Sequence, residues 1–342
     1  MSENLDALRV PVKESDRRPG PYPYYGASGI VDYVDDFIFN GDHVLVAEDG
    51  ENLRTRRTPV AFLVRGKFWV NNHAHVLRGN GNSDTRFLAY TISQADIGSF
   101  LTGSTMPKLT RVGLDRIPVS SPPLREQRRI AALLGALDDK IELNRRMNET
   151  LERLTRAMYS ERFQNERAKD WPRTPISGLC STQYGFTASS TRVPAGPHLL
   201  RVMDINKRPW VDWASVPYCE INDAQLDKYK LFRGDIVVAR MADPGKAAIV
   251  EDEVDAVFAS YLVRLKTSSR ALAYFLYGFL QSPSYAEYAE GAMGGSVQKN
   301  MNARVITGAD VRLPPEAEME GHLKAIEPLR AGLLRTSTSR AP

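Results

Sequence analysis

The sequence predicts an α+β protein made of two copies of one mixed sheet domain, joined by a long helix. Three observations carry that expectation. Residues 122–163, "PPLREQRRIAALLGALDDKIELNRRMNETLERLTRAMYSERF", keep a helical pattern from end to end. On either side lie short β-rich runs broken by Gly, Asp and Asn, each set followed by a helical stretch. Finally, three ordered landmarks recur along the chain: Gly41-Asp42 with Gly234-Asp235, "GSTMPKLT" (103–110) with "GSVQKNMN" (295–302), and Pro122-Pro123 with Pro314-Pro315. The separation is 193 residues for the first pair and 192 for the others, a period that marks a domain duplication rather than a solenoid. The expected organisation is a first domain over 1–121, a spacer helix over 122–168, a second domain over 169–313 and a short C-terminal helix over 314–342.

In the first copy, "HVLVAED", "TPVAFLVRG" and "FWVNNHAHVLRG" read as strands, and "TRFLAYTISQADIGSFLTG" as the helix that follows. Next comes the spacer. Pro122 and Pro123 suit a first helical turn, where a missing N–H costs nothing, and Ser120 or Ser121 can cap it. Ile130, Leu134, Leu137, Ile141, Leu151, Leu154 and Met158 recur at three- and four-residue steps and form one stripe. Asn144 and Asn148 interrupt the stripe near its middle, where buried polar residues fix register. Glu142/Arg146, Glu149/Arg153 and Glu152/Arg156 are Glu-first pairs four apart. Gly135 is dissonant, costing about 1 kcal/mol against alanine. At 1.5 Å per residue the element is roughly 60 Å long and calls for a partner helix.

In the second copy "GDIVVARMA", "KAAIVED" and "AVFASYLVRLK" repeat the strands and "RALAYFLYGFLQSPSYAEYAEG" the helix. Two departures from the repeat stand out. Trp171 precedes Gly234 by 63 residues whereas Met1 precedes Gly41 by 40, so the first copy is expected to lack about 23 residues at its start. After Pro314-Pro315 only 27 residues remain, and the second helix is expected to end before Pro328.

The chain of 342 residues carries a formal charge of +4, which permits a polyanionic partner without demanding one. Two cysteines, Cys180 and Cys219, are too few for a disulfide framework or a zinc site and fit small buried hydrophobes in a reducing cytoplasm. No apolar leader or run of ~18 apolar residues suggests secretion or a membrane span. "MADPGKAA" (241–248) lacks the first glycine and the Ser/Thr of a phosphate loop. No dinucleotide glycine pattern and no nuclease-like carboxylate set stands out. His73 and His75 could share a strand face and bind a metal, but no third ligand is evident; hydrogen-bonded imidazoles are the simpler expectation.

The basic loops are more suggestive. Arg54, Arg56, Arg57, Lys108, Lys246 and Lys299 are candidates for phosphates, and Asn72, His73, Gln298, Asn300 and Asn302 for base edges. Each run alone reads as a solvated surface. The same loop being polar and basic in both copies favours a ligand.

Four stretches carry a family resemblance: "YPYYGASGIVDYVDDFIFNGDHVLVAEDG" (22–50), "FWVNNHAHVLRG" (68–79), "IPVSSPPLREQRRIAALLGALDDKIELNRRMNETLE" (117–152) and "GDIVVARMADPGKAAIVED" (234–252). They resemble the DNA-specificity subunit of type I restriction–modification systems. The resemblance implies two target-recognition domains, each reading half of a split site in double-stranded DNA, joined by an antiparallel helical spacer. It implies docking of methyltransferase and restriction subunits, no cofactor and no active site in this chain. The shorter first copy and the degenerate "PPEAEMEGHLKAIEPLRAG" leave a second expectation standing, a trimmed scaffold that binds partners without reading DNA. An enzyme with an unrecognised site is the third.

Overall fold

The computed structural model describes residues 1–207, 210–293 and 300–338, the last five by backbone alone. The chain divides into two compact units, Met1–Glu142 and Leu143–Pro342.

Unit 1 contains eight strands: β1 (Ser2–Asn4), β2 (Pro19–Gly26), β3 (Gly29–Val34), β4 (Phe39–Asn40), β5 (His43–Ala47), β6 (Ala61–Val64), β7 (Lys67–Val70) and β8 (Ala74–Gly79). Its helices are α1 (Asn52–Thr55), α2 (Thr85–Gln94), α3 (Arg111–Asp115) and the start of α4 (Leu124–Phe163). One antiparallel sheet has the order β1-β8-β5-β6. A second, β3-β2-β7-β4, contains a parallel β2–β7 pair. The run "HVLVA" does not alternate because β5 is covered on both sides. Val44 and Val46 share a core with Leu88 and Ile92 of α2, whereas Leu45 packs with Phe68, Val70 and Val76. Each fully buried Val or Leu contributes about 1.5–3 kcal/mol.

Unit 2 repeats this plan. Its strands are β9 (Arg173–Pro175), β10 (Cys180–Tyr184), β11 (His198–Leu200), β12 (Ile236–Ala239), β13 (Ala247–Ile249), β14 (Ala256–Phe258), β15 (Leu262–Thr267) and β16 (Asp310–Arg312). Its helices after α4 are α5 (Val202–Ile205), α6 (Asp223–Tyr229), α7 (Arg270–Leu280), α8 (Pro283–Ala292), α9 (Ala303–Ile306) and α10 (Glu316–Thr338). The sheet β10-β15-β12-β13 matches β1-β8-β5-β6 strand for strand, with Ser2 opposite Gly79 and Cys180 opposite Thr267. The β11–β14 pair is parallel, like β2–β7. Strand β12 is again covered twice, Ile236 and Val238 by the core that holds Phe275 and Leu276, Val237 and Ala239 by that of Leu200 and Phe258. Side-chain caps open both following helices, Asp84 accepting from Phe87 N and Ser269 from Leu272 N. The helix expected over 270–291 is in fact two, because Ser282 caps a new helix at Pro283.

The spacer helix is continuous for 40 residues, and its buried line differs from the apolar one. Within unit 1 the buried positions are Gln127, Ala131 and Gly135. Buried Gln127 holds the first turn: its Nε2 donates to Asn82 O and Pro122 O, and its Oε1 accepts from Asp84 N. Gly135 has a packing reason, since a Cβ there would lie 2.3 Å from Arg86 Nη1. Ile130 and Leu134 are half-buried, while Leu137 and Ile141 are exposed. Within unit 2 the buried positions are Asn148, Glu152, Thr155, Tyr159 and Phe163. Asn144, Leu151 and Met158 are half-buried and Leu154 is exposed. Glu152 pairs with Arg156 as expected, but Glu149 turns back to Arg145.

Helix α10 packs antiparallel to the end of α4. Glu318 meets Arg162 at 2.8 Å, His322 packs on the Phe163 ring, and Gly332 abuts Leu151. Contrary to expectation, α10 passes straight through Pro328. Tertiary contacts on the far side outweigh the lost helical hydrogen bond. Ile326 and Leu333 are buried, and Arg330, 2% exposed, forks onto Glu251 at 2.8 and 2.6 Å and reaches Glu152 at 3.3 Å. Tyr274 OH donates to the same Glu251. Replacing Arg330 by alanine leaves the buried Glu251 carboxylate without a cation and is expected to cost unit 2 about 3–5 kcal/mol in denaturant unfolding. A loss below ~1 kcal/mol would contradict the view that this ion pair anchors α10.

Candidate nucleic-acid interface

Because β5 and β12 are enclosed on both faces, side chains that can meet a ligand leave from their C-terminal ends. The two ends are built alike. In unit 1 the chain returns at Leu109, whose N–H donates to Glu48 O at 2.8 Å. Thr110 then caps α3 by accepting from Gly113 N. In unit 2 Met301 N donates to Arg240 O at 2.8 Å, and Asn302 caps α9 by accepting from Val305 N. The residues two beyond, Gly50 and Ala242, both take left-handed backbone, with φ of 113° and 64°. Over residues 300–302 the loop alignment seen in the sequence is therefore a structural equivalence, 192 residues apart, with Glu48 matching Arg240 and Lys108 matching Asn300.

In unit 1 this place is an ionic cluster. Glu48 accepts from Arg9 at 2.8 Å and lies 3.3 Å from Lys108 Nζ. His75, on β8 and 1% exposed, presents Nδ1 to Asp6 Oδ2 at 2.6 Å and Nε2 to Leu109 O at 2.8 Å. Both ring nitrogens face acceptors, which only the doubly protonated imidazolium satisfies. Burial opposes that charge, but the Asp6 carboxylate, the Leu109 carbonyl and Glu48 outweigh it and hold the His75 pKa above its ordinary value. Asp6, despite its own burial, is held below the usual range by His75 and the Val76 N–H. The cluster ties the N-terminal segment to the loop that carries Lys108.

The candidate residues fall into two groups. Several are engaged: Arg54 donates to Gly103 O and Ser104 O, and Arg56 donates to Ser93 O and Ala95 O at the end of α2. Arg56 itself is left-handed, with φ 48°. His73 Nδ1 meets Asp49 at 2.7 Å, Lys108 pairs with Glu48, and Asn302 is the helix cap. Others are open: Arg57, Asn72, Lys246 and Asn300 are exposed, and their side chains make no hydrogen bond or ion pair among the described residues. Gln298 and Lys299 lie outside the described residues. His73 and His75 do not share a site, one being exposed in a turn and the other buried in the strand. Among the described residues no group of three or more His, Cys, Asp or Glu side chains is placed to hold a metal.

Comparison with known proteins gives this geometry a setting. Residues 4–153 match the family model for a type I restriction modification DNA specificity domain. A chain named as a type I restriction enzyme specificity subunit of Haemophilus influenzae is 41% identical over 133 residues, which are 39% of this chain and 34% of that one. Over these residues the chain is similar to specificity subunits of type I restriction enzymes. The Escherichia coli EcoKI specificity subunit is 21% identical over 271 residues, 72% of this chain and 57% of its own. The chain thus spans less than two thirds of the length of these curated relatives. The crystal structure of a type I restriction–modification S subunit from M. genitalium superposes with a TM-score of 0.65 at 12% identity, covering 99% of this chain and 91% of that one. That likeness is one of fold.

Sequence reasoning missed Asp6, Arg9 and Glu48 as parts of one cluster with His75, because 69 residues separate His75 from Asp6. It also passed over Arg240 and Tyr184, whose guanidinium carbon and ring centroid are 5.0 Å apart. The His75 pair makes a testable pH dependence. A raised folded pKa adds stability that is complete below the unfolded value of 6.5 and is lost as pH rises through the folded value. The lowered Asp6 value adds stability that is lost only as pH falls below 3.8 toward the folded value. Urea-unfolding midpoints between about pH 5 and 9 should therefore fall on the alkaline side for the wild type and stay flatter in His75→Gln. Parallel profiles for the two proteins would reject the imidazolium.

Proposed function

We propose that this chain is the DNA-recognition subunit of a type I restriction–modification complex and is itself non-catalytic. One observation carries the reading: residues 4–153 match a DNA specificity domain, and unit 2 repeats that unit's sheet, its loop return and its capped helix. Each unit reads one half of a bipartite site in double-stranded DNA, through loops at the ends of β5 and β12. Arg57 and Lys246 contact phosphates, while Asn72 and Asn300 face base edges, where a bidentate Asn–adenine pair discriminates by roughly 1–3 kcal/mol. Arg54, Arg56, His73, Lys108 and Asn302 shape the loops and meet the backbone from there. Gln298 and Lys299 belong to the same loop by sequence. Methyltransferase subunits dock along α4, where Leu133, Leu137 and Ile141 form an exposed apolar line, and the restriction subunit joins the assembled complex. No helix among the described residues is long and apolar enough to cross a membrane, in keeping with a place in the cytoplasm.

The deciding experiment is to co-express the chain with the methyltransferase subunit of its own system and sequence the DNA for methylated adenines. A split motif with a fixed spacer is expected. A stable complex that leaves no motif would replace this reading by the assembly scaffold. In titrations of the complex, Arg57→Ala and Lys246→Ala should each lower the slope of log affinity against log salt by about 1, equally for all sequences. An unchanged slope removes that residue from the phosphate contacts.

A further inference from the structure

Position for position, the two strand ends differ most in charge. Glu48 in unit 1 is satisfied internally, by Arg9 at 2.8 Å and Lys108 at 3.3 Å. Its equivalent, Arg240, sits in a changed setting: Asn300 stands where Lys108 does, and Val263 where His75 does. No carboxylate pairs with Arg240 among the described residues. Its Nε is buried and meets no acceptor among the described residues. A buried N–H left unpaired costs about 1–3 kcal/mol, so the side chain is either a defect or one placed to turn its two outer amino groups toward an acceptor.

The surroundings argue for the second. Main-chain hydrogen bonds fix Arg240 on both sides, its N–H donating to Tyr261 O at 2.9 Å and its carbonyl accepting from Met301, which is fully buried. Its guanidinium lies over the ring of Tyr184, 5.0 Å from the centroid. Tyr184 is fixed in turn, because its hydroxyl accepts from Ala303 N at 2.9 Å, at the first residue of α9. Tyr184 is 42% exposed, so the stack stands at the surface and not in the core. A guanidinium backed by an aromatic face keeps its edge donors free and coplanar. That is the presentation needed for the paired O6 and N7 acceptors of guanine. Lys246 follows it in the same loop, and Asn300 immediately precedes Met301, whose N–H bonds the Arg240 carbonyl.

We propose that Arg240, backed by Tyr184, reads a guanine in the half-site recognised by unit 2. The proposal rests on the DNA-recognition reading above and adds a base and a residue to it. Unit 1 would read its half-site without an arginine at this place, since the equivalent carboxylate is already consumed.

The test compares methylation motifs for the wild type, Arg240→Ala and Arg240→Gln, each co-expressed with the methyltransferase subunit. For Arg240→Ala, one guanine of one half-site should become degenerate, its preference falling by about 10- to 100-fold. The other half-site, the spacer length and the yield of complex should stay unchanged. Arg240→Gln keeps a long polar stem should the alanine variant fail to fold, and it should move the preference at that position from guanine toward adenine. A wild-type motif preserved in both variants would overturn the assignment of Arg240 while leaving the recognition function standing. Uniformly weaker methylation with an unchanged motif would make Arg240 a phosphate contact and equally overturn base reading. Absence of any motif for the wild type would instead bring down the recognition reading itself.

Discussion

Burial of the central strand on both faces is the constraint on which the rest depends. Strands β5 and β12 are sandwiched between a helix-bearing core and a second sheet, and every residue of each is buried. A strand so enclosed can offer a ligand nothing along its length. What it can offer is a rigid end, and both copies use the end in the same way: the chain leaves through a left-handed residue and comes back far later to donate a hydrogen bond to the last carbonyl. The loops are thereby fixed at two points each, and their side chains can vary without disturbing the core.

That arrangement explains how two copies of one fold can carry different chemistry. At the strand end unit 1 places Glu48 in a cluster with Arg9, Lys108 and the imidazolium of His75, and much of its basic loop is spent on internal bonds. Unit 2 carries Arg240 on Tyr184 and leaves Lys246 and Asn300 open. The backbone hydrogen bonds of Glu48 and Arg240 match while the charge is reversed. Duplication followed by substitution at a fixed loop base is a direct route to two unlike half-sites.

The long helix obeys a different logic from the one its stripe suggests. Within unit 1 α4 meets the rest of its unit through small or polar residues, Gln127, Ala131 and Gly135, whereas within unit 2 the polar Asn148, Glu152 and Thr155 are joined by the core aromatics Tyr159 and Phe163. Gln127 tethers three main-chain groups and explains why "PPLREQ" reads as a signature. In the second copy Met319 occupies the matching place and is buried in the apolar core instead. The aliphatic residues of the stripe, Leu137, Ile141 and Leu154, remain exposed. Polar contacts are directional and specify one register, whereas aliphatic ones left at the surface stay free for a partner.

The sequence by itself determined the α+β class, the duplication, the long helix and the strands β5 to β8 and β12 to β15, because these follow from local periodicity and from repetition along the chain; β2, β3, β10 and β11 carried no such pattern. It also singled out the loops in which Arg57, Lys246 and Asn300 stand open. Which of their neighbours are open was decided only in three dimensions. Arg56 is spent on the end of α2, Asn302 on the start of α9, and Lys108 on a carboxylate 60 residues earlier. Pro328 lies within a helix because Arg330 finds Glu251 across the unit. The His75 pKa is raised because Asp6 and Leu109 converge on its two nitrogens from distant segments. Local pattern fixes what each segment becomes; the partner that satisfies or frees a given side chain comes from elsewhere in the chain, and only packing brings it there.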